Sequence, residues 1–293
     1  MHDNCAAPAA ARTRHLAPAL VFLTACAMLA FAANSLLARL ALRTTPIDAA
    51  TFTAVRLAGG AITLLCIVRL QGAALAFTKT GWLSAALLFI YAAAFSFAYR
   101  DISTGAGALV LFSAAQLTMI SYGLWKGERA SPWGMLLACA GMIAFLLPSA
   151  GLGAPPLFAA MLMAVAGLAW GGFSLLGKTG GTPIVHTAAS FICTVPFAAV
   201  LLLVQGGQRH VDWTGAMWAL LSGSVTSALG YAIWYWVRVR LTAISAGAVQ
   251  LSVPVISAAL GVLLLGETLT LKSALSAIAV LGGIAWVTLT ARR

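Results

Sequence analysis

A chain of 293 residues with 62% hydrophobic and only 8% charged side chains cannot cover itself with a water-facing surface, because soluble domains carry about 25% charged residues. Its mean hydropathy of +0.99 points to lipid as the main solvent. The net charge of +11 comes from Lys and Arg standing in ones and twos between apolar runs, which excludes the continuous basic face that a nucleic-acid partner needs and fits the loops of a membrane protein.

After a tail at 1–16 come ten apolar runs of about the 20 residues a bilayer demands. They lie near 17–38, 50–70, 81–99, 104–125, 131–148, 155–177, 185–205, 213–236, 243–265 and 271–290. Short connections carry the turn residues Thr45-Pro46, Gly127-Glu128, Pro155-Pro156, Gly180-Gly181 and Gly206-Gly207. The runs lack period-two alternation, which predicts helices and argues against a β-barrel. The first run leads straight into the second and reads as a span, not a cleaved signal peptide. The fold class expected is all-α integral membrane.

Taken in chain order, span 1 carries Asn34 near Phe31. Span 2 carries Arg56, the one clear intramembrane charge, followed by Gly59-Gly60. Such an arginine costs about 2.5–3.5 kcal/mol at a helix centre and asks for a partner. A substrate carboxylate, Asp48 two turns earlier, or carbonyls at the helix end all qualify. Span 3 carries Ser84, Tyr91 and Phe95 on one face, with Tyr99 near it, and span 8 carries Ser224, Tyr231 and Tyr235. Steps of seven and four keep each set on one helical stripe, and the two stripes are offset by 140 residues throughout. Aromatic faces on such stripes hold ligand rings by stacking or an ammonium by cation–π attraction. Trp and Tyr also gather at membrane boundaries, and Tyr99, Trp234 and Trp236 fit that reading too.

Span 4 offers Ser113 and Gln116; span 6 offers Trp170 and Phe173; span 9 offers Gln250, Pro254, Ser257 and Gly261 along one face. Polar side chains in a membrane bind cargo or hydrogen-bond between helices. Pro254, and Pro196 in span 7 set opposite Gly59-Gly60, are hinge or kink candidates. Spans 5 and 10, with Gly141 and Gly282-Gly283, read as peripheral packing elements.

The stretch Gly172 to Thr179 fits a GxxxxGK[ST] phosphate loop, but it closes a spanning helix whose amides are already bonded, so no nucleotide site is expected. The five cysteines (Cys5, Cys26, Cys66, Cys139, Cys193) have neither redox nor metal-ligand spacing. No metal, cofactor or catalytic group is implied. The four histidines (2, 15, 186, 210) fall at termini and loops, against an integral membrane enzyme.

The two halves, 17–150 and 151–293, match at offsets of 137–140 residues. Leu29-Ala30-Phe31 through Arg39 matches Leu168-Ala169-Trp170 through Lys178; Thr45-Pro46-Ile47 matches Thr182-Pro183-Ile184; Ala106-Gly107-Ala108 matches Ala246-Gly247-Ala248; Gly127-Glu128 matches Gly266-Glu267. Five spans per half is odd, so the second repeat is inverted relative to the first, an arrangement typical of transporters. With the N-terminus cytoplasmic, eleven Lys and Arg lie inside against five outside, so both termini are expected in the cytoplasm.

A Trp-Gly-like start in the first span of each half, Val55-Arg56-Leu57 in span 2 and Leu-Gly-Glu-Thr-Leu-Thr at 265–270 resemble the drug/metabolite transporter superfamily, more narrowly its ten-helix EamA type. Within that type the chain looks most like the YddG aromatic amino-acid exporters. The halves have diverged: Phe31-Ala32 stands where the second has Trp170-Gly171, and Ala114 stands where span 9 has Pro254. The resemblance implies a secondary transporter of the bacterial inner membrane that exports amino acids, aromatic or broader, by rocking spans 1–4 against 6–9. It implies a small-molecule cargo and a lipid bilayer as partners; a monomer suffices. The alternative within the same fold is an exporter of drugs or toxic cations. The absence of Asp and Glu from span interiors weakens that alternative, and a scaffold without transport activity is a third reading.

Overall fold

Helix starts are set by side chains that accept orphan backbone N–H groups. Asp48, Thr78, Ser131 and Asp212 each do so, and each opens a helix. The computed structural model describes residues 7–127, 131–147, 155–176, 182–206, 210–238, 240 and 249–290. Among these residues there is no strand, and ten helices are delimited. They are α1 (Ala7–Thr44), α2 (Ala49–Leu70), α3 (Lys79–Ala98), α4 (Thr104–Trp125), α5 (Pro132–Leu146), α6 (Leu157–Leu176), α7 (Pro183–Gln205), α8 (Trp213–Arg238), α9 (Ser252–Leu265) and α10 (Leu271–Thr290). Eight are long and apolar enough to cross a membrane; α5 with 15 residues and α9 with 14 are shorter.

Each helix coincides with one of the expected runs to within a few residues, apart from two breaks. α1 extends back to Ala7, into the stretch expected to be a tail. The ninth run is interrupted: Val249 and Gln250 are helical, Leu251 turns, and α9 restarts at Ser252. Pro254 thereby falls in a first helical turn, where its missing N–H has no acceptor to forgo. α9 ends at Gly266, whose φ of +62° is the left-handed conformation that glycine adopts without penalty. Residues 241–248 of the expected span lie outside the described residues.

The distribution of polarity is that of a protein dissolved in lipid. Leu263, Val204 and Leu203 are among the most exposed side chains, whereas Ser84, Thr53, Ser96, Thr187 and Ser257 are buried completely. Small residues let the helix backbones meet, as van der Waals packing in a membrane requires. A Cβ on Gly223 of α8 would lie 2.0 Å from the Arg56 carbonyl oxygen of α2, and one on Gly167 of α6 would lie 2.3 Å from the Leu111 carbonyl of α4.

α3 packs on α6 and α7, α4 on α6, α2 on α7 and α8, α1 on α8 and α9, α4 on α9, and α5 on α10. Exchanging α1–α5 for α6–α10 turns each of these contacts into another of the same set. α5 and α10 pair with each other, and the remaining eight helices surround a common centre.

Candidate functional site

At that centre the aromatic residues of four helices converge. The Trp170 ring of α6 sits between two tyrosines, 5.1 Å from Tyr91 of α3 and 5.0 Å from Tyr231 of α8, at interplanar angles of 44° and 45°. Phe31 of α1 stands edge-on to Trp170, Tyr231 and Trp234 at 5.8–6.2 Å. Together with Asn34, Phe95, Phe112 and Thr226 these rings enclose a cavity of about 20 Å³. One water molecule fills such a space. The chamber as it stands is too narrow for a larger solute, which enters only when the rings part.

A polar network runs along one wall. The Asn34 carbonyl accepts from the Ser222 hydroxyl at 2.7 Å and the Thr226 hydroxyl at 3.2 Å, and its amide donates to the Tyr91 hydroxyl at 3.4 Å. Arg56 reaches the same tyrosine. It is 1% exposed, and its Nη2 donates to Tyr91 Oη at 2.9 Å and to Ser227 Oγ at 3.3 Å. Its guanidinium carbon lies 4.7 Å from the centre of the Phe95 ring and 5.1 Å from that of Tyr91. Nη1 has no hydrogen-bond partner. A buried donor left unpaired costs about 1–3 kcal/mol, more on a charged group. Asp48 does not relieve it: that carboxylate accepts from Ala50 N, Thr51 N, Thr51 Oγ1 and His210 N, capping α2 and tying down the chain before α8.

α8 explains why part of the expected stripe misses the chamber. Ser222–Leu229 is a π-helical stretch inside an otherwise α-helical span. A π turn holds more residues than an α turn, so the seven-residue step from Ser224 to Tyr231 no longer closes two turns. Ser224 is rotated toward Gly59 of α2, while Ser222, Thr226 and Ser227 face Asn34 and Arg56. In α3, which stays α-helical, Ser84 follows the stripe but lies beyond the cavity, 3.1 Å from His186 Nε2. That histidine, expected in a loop, stands in the first turns of α7. Tyr235 lies beside Thr187 of α7.

The remaining candidates divide by role. Gln116 donates to Gln250 at 3.2 Å, joining α4 to the helical turn before α9. Tyr99 and Trp234 are buried, Tyr99 completely, and so are not boundary aromatics. Gly59 and Gly60 meet Leu220 and Phe191 rather than Pro196. Pro196 is exposed on the outer surface of α7, so the carbonyl it frees does not serve the chamber.

Tyr99 and Glu267 cover one end of the chamber. Tyr99 stands edge-on over Phe95 at 4.6 Å and donates to the Thr104 carbonyl. Above it the Glu267 carboxylate accepts from Thr104 N at 2.8 Å, Thr104 Oγ1 at 3.1 Å and Arg39 Nε at 3.4 Å. Arg39 also donates to the carbonyls of Tyr99 and Arg100. This clamp joins the end of α1, the turn into α4 and the loop after α9.

Residues 157–289 match the model of the EamA-like transporter family. An uncharacterised protein of Pseudomonas aeruginosa is 49% identical over 270 residues, covering 91% of this chain and 93% of that protein. The second half of the chain is thus similar to the EamA-like transporter family. This family match supports the resemblance to the drug/metabolite transporter superfamily. A protein of known crystal structure superposes with a TM-score of 0.63 at 18% identity, over 90% of this chain and 98% of the other, which shows a shared fold.

Two features of this EamA-like site escape a helical-wheel reading. The π stretch brings in Ser222, Thr226 and Ser227, and no residue type in Ser222–Leu229 announces it except the run of small residues. The Arg39–Glu267 pair joins residues 228 positions apart. Its only sequence signal is the recurrence of Gly-Glu in both halves, read there as a family mark. The phosphate-loop pattern begins within α6 at Gly172 and runs past Leu176 into residues outside those described.

Proposed function

We propose that the protein is a secondary transporter that exports amino acids, aromatic and with room for related metabolites, across the bacterial cytoplasmic membrane by alternating access. The observation that carries this is the central chamber: aromatic rings and buried polar groups from α1, α3, α6 and α8 surround a space too small for a solute, with the Glu267 clamp over one end. A contracted, ring-lined chamber with a few polar groups between two helix sets fits a transport cycle in which the cargo space opens and shuts. The paired tyrosines against Trp170 supply flat apolar faces, and the Asn34, Ser222 and Thr226 groups supply hydrogen bonds, as an aromatic zwitterion needs.

The helices fall into two five-membered repeats of opposite orientation, with both termini cytoplasmic. Support comes from the offset matches in sequence, from the contact pattern that survives exchange of the halves, and from the inside excess of Lys and Arg. Export of lipophilic cations is disfavoured by the buried Arg56 charge against the chamber wall. Reconstitution into liposomes with a panel of labelled solutes tests the reading. Flux of phenylalanine, tyrosine or tryptophan is expected; flux of a lipophilic cation without any amino acid would overturn it.

A further inference from the structure

Arg56 is a cation without a counter-ion. Among the described residues the one ion pair is Arg39–Glu267, and no Asp or Glu touches the chamber. Nε and Nη2 of the guanidinium donate to Ser227 and Tyr91, and the Tyr91 and Phe95 rings lie against it, yet Nη1 has no hydrogen-bond partner. The arrangement is pre-organised: rings fix the guanidinium plane while two N–H groups stay free. A free guanidinium nitrogen donates strong charge-assisted hydrogen bonds to a carboxylate. The Tyr91 and Phe95 rings that lie against Arg56 also line the cavity, and rings of that lining must part for a solute to enter.

We infer that Arg56 is the docking point for the carboxylate of the cargo, and that the chamber selects compounds joining a carboxylate to an aromatic or apolar body. This rests on the transport reading above and narrows it. The carboxylate takes the unpaired Nη1 edge and neutralises the buried charge, while the ring of the cargo lies among Trp170, Tyr91 and Tyr231. No acidic group among the described residues waits for an ammonium, so the ammonium of an amino acid contributes little and its removal is tolerated. The inference thus predicts a ranking that amino-acid export alone does not: carboxylate first, amine second.

The test is ligand-induced stabilisation of the purified full-length protein, which needs no transport. Four probes share one ring: phenylalanine, 3-phenylpropionate lacking the amine, phenethylamine lacking the carboxylate, and phenylalaninamide with the carboxylate masked. Phenylalanine and 3-phenylpropionate are expected to raise the unfolding temperature, and the two compounds without a free carboxylate are not. Arg56→Gln is expected to weaken the carboxylate effect by about tenfold or more, the loss of one charge-assisted pair, with Arg56→Lys falling between. Should Arg56→Gln fail to fold, the wild-type ranking and Arg56→Lys still decide. Stabilisation by phenethylamine equal to that by 3-phenylpropionate would overturn the inference, as would no stabilisation by either carboxylate, or undiminished carboxylate binding by Arg56→Gln. Stabilisation by 3-phenylpropionate without phenylalanine would keep the carboxylate site and refute amino-acid export.

Discussion

Single side chains at this protein's helix ends carry more than capping. Asp48 is half-buried, which disfavours its charge, yet the Thr51 hydroxyl and three backbone N–H groups hold its carboxyl below the usual range. A depressed carboxyl pKa adds stability that is present above the unfolded value of about 3.9 and is lost as pH falls through the folded one. Asp48→Ala should therefore cost about 0.5–2 kcal/mol at neutral pH, measured by thermal unfolding in detergent, and the gap to wild type should close only below about pH 4. The capping role was readable from a Thr-Pro-Ile-Asp turn before an apolar run. Its second role, holding His210 across 162 positions, was not, because long-range backbone contacts leave no local pattern. The same limit applied to Arg56. Sequence marks it as an anomaly with three possible partners, and only the fold shows that Asp48 is committed elsewhere.

At the scale of elements, hydropathy alone was enough to locate the helices, since a bilayer-spanning run must satisfy its own backbone and has no other form available. It failed where a helix departs from 3.6 residues per turn. The π stretch of α8 moves Ser224 out of line and brings Ser227 to Arg56, a rotation that no periodicity argument anticipates. Helix pairing is finer still. Gly282 and Gly283 adjoin in α10, yet a Cβ on Gly282 meets nothing within 4 Å, whereas one on Gly283 would lie 2.5 Å from the Ala138 nitrogen of α5. Gly282→Ala should be neutral or stabilising by up to about 1 kcal/mol, the usual helix-interior preference for alanine. Gly283→Ala should destabilise by about 1–3 kcal/mol through overpacking against rigid backbone. Parallel melting curves decide it: equal effects of the two substitutions would mean that α5 and α10 do not meet as described.

In the whole molecule the proposed cycle opens the chamber by turns to either side, and here the Glu267 clamp covers one end of it. Glu267 holds α1, α4 and α9 together through bonds to a charged group, each of about 1.5–3 kcal/mol. Glu267→Gln should loosen that end, and a cysteine at Ser35 in a background without native cysteines should then react roughly tenfold faster with a water-soluble thiol reagent from that side, as loss of about 1.4 kcal/mol implies. An unchanged rate would reduce the clamp to a packing detail. The family resemblance was legible in the sequence through the repeat and the Leu-Gly-Glu-Thr-Leu-Thr segment; the narrow ring chamber was not, because it depends on where rings from four helices meet. The most direct measurement is efflux of labelled phenylalanine from proteoliposomes containing wild type, Tyr91→Ala or Tyr231→Ala. These rings face Trp170 from opposite sides at nearly equal distance. Both variants should reconstitute normally and lose most of the flux. Flux equal to wild type in both would contradict a cargo path through this chamber.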